Sequence, residues 1–143
     1  MIHDRVTTPY AALLLRVAMG ILFLAHGLLM KILTFGFAGV MGYFGSIGYP
    51  PILGAVVAVA ETLAGIALIL GVWVRPVSLA LVPLMIGATL QHIGNGWVFS
   101  ARGGGWEFPA FWVVLLVVQA GLGAGAHALD VRRLLGGRRP VAA

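Results

Sequence analysis

The sequence contains no cysteine. That absence removes disulfides, thiolate metal sites and thiol redox centres from this chain, so electrons handled here must travel on a bound cofactor or a partner. Charge is also scarce. Charged residues make up 9% of the chain, where a soluble domain carries roughly a quarter, and the acidic side chains are only Asp4, Glu61, Glu107 and Asp130. What is abundant instead is apolar surface. With 61% hydrophobic residues and a mean hydropathy of +1.05, the 143 residues read as one compact membrane domain over 1–143. The net charge of +5 does not point to nucleic acid, because Arg132, Arg133, Arg138 and Arg139 gather after the last apolar run, where membrane topology accounts for them.

The apolar runs predict an all-α integral membrane four-helix bundle, with spans at about 9–33, 51–73, 76–97 and 107–128 and a basic tail over 130–143. The first run is longer than a signal-peptide core, carries Arg16 and lacks a small-x-small cleavage site, so it reads as a retained helix. Thr8 and Pro9 are expected as its N-cap and first helical position. On helical spacing Arg16, Gly20, Phe23, Gly27 and Met30 share one face, with His26 and Lys31 toward its two flanks. Between the first two spans, residues 36–48 carry an apolar stripe of Phe37, Val40, Met41, Phe44 and Ile47. At about 20 Å this piece is too short to cross a core near 30 Å, which predicts an interfacial or re-entrant helix.

The second span places Gly54, Ala58, Glu61, Gly65 and Leu68 on one stripe. Arg75 and Pro76 are expected to turn the chain into the third span, where Ser78, Leu81, Met85, Ala88 and His92 line a face with Gln91 beside it; Pro83 is a candidate kink. A loop rich in glycine and aromatics over 94–109 should lie at the interface with Trp97, Phe99 and Trp106 as belt residues, and Glu107 opens the fourth span in the favourable field of a helix N-terminus. His127 reads as a cap at the far end of that helix. Four spans put both termini on one side. Six basic residues there (Arg5, Arg75 and the four C-terminal arginines) against Lys31 and Arg102 opposite indicate a cytoplasmic location for both termini in a bacterial inner membrane.

A carboxylate near mid-membrane needs partners, and Glu61 is the one that asks for them. Arg16 from below would make a buried pair that fixes helix register, or would snorkel to the cytoplasmic headgroups and leave Glu61 either neutral or paired with His26. His26, Gln91 and His92 lie at similar depth, and Glu107, Lys31 and Asn95 can cap the same cluster from above. His26 and His92 as haem ligands, or His26, His92 and Glu107 as metal ligands, rest on weak signals, and no metal is expected.

The chain resembles the DoxX family of small four-helix bacterial membrane proteins over about residues 10–130. The resemblance rests on His26-Gly27 with Lys31 after it, on Gly48-Tyr49-Pro50, on Glu61 with Gly65 and Gly71 ahead of Arg75, and on His92 through Gly104-Gly105-Trp106-Glu107. Ala64 stands where a second glycine often follows the glutamate, and Phe108 where a tyrosine is common. What the resemblance implies is a membrane subunit of a quinone-linked oxidoreductase system. His26, Glu61, Gln91, His92 and Glu107 are then the candidate quinone-binding residues, no cofactor is covalently attached, and the redox partner is a second protein or a soluble cofactor. The alternatives are a non-catalytic scaffold in which Arg16 and Glu61 only specify packing and, with thinner support, a small transporter. Glycines at 121–125 permit a homo-oligomer and equally permit tight packing within one chain.

Overall fold

A computed structural model of the chain describes residues 2–129, with side chains from residue 6 onward. The expectations for the tail over 130–143 and for the Arg5 side chain lie outside the described residues. Among the described residues the structure is all-helical with no strand. Its helices are α1 (Ile2–Leu24), which continues as a π-helix (Ala25–Thr34), then α2 (Gly36–Ser46), α3 (Pro51–Leu70), α4 (Val74–His92) with a short 3₁₀ extension (Ile93–Asn95), and α5 (Glu107–Leu122). Three stretches are long and apolar enough to cross a membrane, Val6–Thr34, Pro51–Leu70 and Val74–Asn95; Glu107–Leu122 is apolar but shorter. Leu14, Ile52, Leu63 and Leu90 stand largely exposed on the outer faces, as residues meant for lipid do.

Packing follows the small residues. α1 and the π-helix lie along α3, where the backbones touch at Gly20, Gly27 and Gly65, and α2 rests on α3 at Gly54. The buried face of α3 is Gly54, Ala58, Glu61, Gly65 and Leu68, the stripe that its helical period predicts. α4 and α5 pair antiparallel, with the Arg75 side chain beside Gly123 at one end. Their buried residues are Val74, Ser78, Leu81 and Met85 on α4 and Pro109, Trp112, Leu116 and Gln119 on α5. The core joins the two pairs through Met19, Phe23, Leu68, Leu81, Trp112 and Leu116.

Several boundaries differ from expectation. Helix α1 starts at Ile2, so Thr8 is no cap and Pro9 lies inside the helix; its carbonyl is used by the Ala126 amide instead. Helix α3 stops at Leu70 because Gly71 adopts the left-handed conformation that closes a helix (φ 78°), and a Cβ there would also strike Ala128 and the Arg16 guanidinium. The turn is thus made by residues 71–73. Arg75 and Pro76 belong to the first turn of α4, where a missing N–H costs nothing. Helix α5 ends at Leu122, not near 128, because Gly123, Gly125 and His127 take positive φ and residues 123–129 fold back as an irregular strap. His127 accordingly caps no helix; its ring lies 6.2 Å from that of Tyr10.

Candidate functional site

Arg16 is fully buried and does not meet Glu61. Its guanidinium donates to the Leu68 and Ile69 carbonyls at the end of α3 (2.9 and 2.7 Å) and to Ala124 and Ala126 of the strap (2.8 and 2.9 Å). A cation at a helix C-terminus is favoured by the helix dipole, and the planar fork reaches two chain segments at once, which offsets the cost of burying it. Neither expected option, the ion pair or snorkelling to headgroups, is taken. The carbonyls freed where α3 and α5 end provide a better-directed partner than a side chain further along α3.

Glu61 instead pairs with Lys31, Nζ to Oε2 at 2.6 Å, with the lysine side chain 23% and the glutamate 7% exposed. The π-helix decides this. Its backbone bonds run between residues five apart, as Phe35 N–H to the Met30 carbonyl (2.9 Å) shows. In an α-helix, residues 26 and 31 would sit about 140° apart, on opposite flanks as the 3.6 period predicts. In the wider turn of the π-helix they come closer to the same side, a little over one turn apart, while Met30 is 43% exposed.

His26 and Lys31 therefore line one cavity of about 330 Å³ between the π-helix and α2, with Met30, Phe35, Val40, Tyr43 and Phe44 as its apolar walls and Gly39 at its edge. The His26 Nδ1 lies 2.9 Å from the Leu22 carbonyl, and its ring stacks edge-on against Trp112 at 5.4 Å. Trp112 also packs on Phe23 (4.7 Å) and on Phe108 (5.3 Å), the residue that stands where a tyrosine is common.

The remaining candidates are elsewhere. Gln91 is exposed, and its side chain has no hydrogen bond to a described residue. His92 bonds the Ala88 carbonyl through Nδ1 (2.8 Å) and packs beneath Gly104 of the loop. Glu107 Oε1 accepts the Phe99 amide (2.6 Å), and Asn95 Nδ2 donates to the Gly103 and Gly104 carbonyls, so both staple the 96–106 loop. Glu107 borders a second, more open groove of about 470 Å³ with Trp97, Phe108 and Phe111. Among the described residues no three His, Cys, Asp or Glu groups gather closely enough to hold a metal. The single cluster expected at the loop is thus divided. His26, Lys31 and Glu61 form one group; His92 and Glu107 serve the loop.

Two positions escaped the sequence reading. Trp112 lies four residues beyond Phe108 on the same helical face and is itself buried, while Phe108 stays exposed at the rim. Gln119 is a lone amide in an apolar run; it is fully buried and donates to the Gly123 carbonyl at 2.7 Å. Its Oε1 and Ser78 Oγ are buried without a hydrogen-bond partner among the described residues.

The DoxX family model matches residues 11–94, more than half of the chain, from α1 through α4. The chain belongs to the DoxX family. The matched stretch of this DoxX protein contains Arg16, His26, Lys31, Glu61, Gln91 and His92, and stops before the loop and Glu107. A Bacillus subtilis (strain 168) protein named "Putative oxidoreductase CatD" is 37% identical over 78 residues, which are 54% of this chain and 56% of that protein. The DoxX chain thus aligns with little more than half the length of that relative. No solved structure matches it.

Proposed function

We propose that this DoxX membrane protein is a subunit of a quinone-linked oxidoreductase system, a four-span bundle of the bacterial cytoplasmic membrane with both termini inside. The quinone ring enters the cavity bounded by His26, Lys31 and Tyr43. The observation that carries this reading is the chemistry of that cavity: an apolar, aromatic chamber at the small end of the ligand-pocket range, with one ammonium and one imidazole on its wall. A quinone ring needs such a chamber and a donor for a carbonyl, and Lys31, held by Glu61, supplies the donor. The name of the Bacillus relative favours an oxidoreductase setting. Electrons come from or go to a partner protein or a cofactor, since the chain has no cysteine to carry them. The antiparallel pairing of α5 along α4 supports a fourth crossing, although sixteen residues reach only about 24 Å.

Purification in mild detergent followed by mass spectrometry of bound lipids tests the reading. Quinone should co-purify with the wild type, fall sharply in Lys31→Met and Gly39→Leu, and persist in His92→Ala. Equal occupancy in all four proteins, or none in the wild type, would overturn it and favour the scaffold, in which Arg16 and the ion pair only hold helices together.

A further inference from the structure

A carbonyl oxygen carries only lone pairs, so His26 Nδ1, 2.9 Å from the Leu22 carbonyl, is the nitrogen that bears the hydrogen. In the neutral ring Nε2 is then an acceptor, and no described residue bonds it. Lys31 has three N–H donors, of which one goes to Glu61. Both side chains line the same cavity, which therefore offers both an acceptor and a cationic donor within apolar walls. A quinone carbonyl, an acceptor only, uses just the lysine. A phenolic hydroxyl uses both, donating to Nε2 while its oxygen accepts from Nζ.

We propose that the cavity recognises a phenol or hydroquinone ring and that His26 takes its proton while Lys31 holds the phenolate oxygen. The proposal rests on the reading above that this cavity is the ligand site. In the step, the ligand O–H bond breaks, an N–H bond forms at His26 Nε2, and the imidazolium keeps its Nδ1–H bond to Leu22; no electron moves. Charge stays balanced throughout. Lys31 and Glu61 cancel before and after, and the new phenolate and imidazolium cancel each other, so no net charge is placed at membrane depth. The Phe35 and Phe44 rings in the wall favour an aromatic body over an alkyl chain.

The test uses the full-length protein in lipid nanodiscs and 4-nitrophenol, whose phenolate is yellow, buffered below the phenol's own pKa. A saturable phenolate band should appear with the wild type and disappear in His26→Gln. In Lys31→Gln the affinity should fall about tenfold or more, the worth of a charge-assisted hydrogen bond. Gly39→Leu guards against misfolding: a Cβ at Gly39 meets only Phe35 Cβ at 3.4 Å, so the chain accommodates it while the larger side chain fills the cavity and removes the band. A parallel titration with menadione, read by tryptophan fluorescence, separates the two readings. If menadione binds and no phenolate forms, the proton-transfer proposal falls and the quinone reading stands; if the phenolate forms and menadione does not bind, the reverse holds. A band unchanged in Lys31→Gln and Gly39→Leu, one retained in His26→Gln, or one displaced equally well by laurate would each overturn the proposal.

Discussion

Gly27 has no room for a side chain: a Cβ there would stand 2.6 Å from the Thr62 amide nitrogen and 2.9 Å from the Ala58 carbonyl. At Gly87, in α4, it would meet nothing within 4 Å. Gly27→Val should therefore cost about 1–3 kcal/mol through overpacking, while Gly87→Ala should be neutral or gain up to about 1 kcal/mol by relieving helix entropy. Thermal unfolding of both variants in one detergent checks the contrast; equal shifts would mean that the α1–α3 contact is not close-packed. The Lys31–Glu61 pair makes a second residue-level prediction. Lys31→Met leaves a buried carboxylate unpaired and should cost about 1–3 kcal/mol, and adding Glu61→Met should recover part of that loss, read as a non-additive double-mutant cycle. At this scale the sequence was informative about burial. The face of α3 with Glu61 at its centre follows from composition and period. The partner did not follow, because the period assumed for residues 25–34 was that of an α-helix.

The π-helix and the strap over 123–129 are the elements that carry the unexpected geometry. One carries His26 and Lys31 to the cavity; the other is pinned by Arg16, by the Ala126 amide on the Pro9 carbonyl (2.9 Å) and by the Leu129 amide on that of Leu70 (3.0 Å). Arg16→Lys keeps the charge but loses the fork that spans two segments. Hydrogen exchange should then accelerate at the Ala126 and Leu129 amides and remain unchanged at the centre of α3; exchange that is uniform across both regions would contradict the pinning role. Neither element was legible in the sequence. Gly123 and Gly125 read as packing glycines in a longer helix, and only their positive φ shows that they end it.

For the whole molecule, the arrangement of basic residues predicts a C-terminus in the cytoplasm. A fluorescent protein fused after residue 143 should glow and alkaline phosphatase at the same point should be inactive, with the opposite result for insertions in the 96–106 loop. The reverse pattern would invert the bundle and place the His26 cavity in the inner half of the membrane. The sequence by itself determined the membrane character, the order of the helical segments, the buried face of α3 and the isolation of Glu61 within its own apolar run, since each depends on local composition and period. The tertiary structure alone decided which polar groups meet. Lys31 reaches Glu61 because a π-helical register turns it there, Arg16 turns to freed backbone carbonyls, and His92 and Glu107 are drawn to a glycine loop, all of them outcomes of backbone geometry that a 3.6-residue period does not encode.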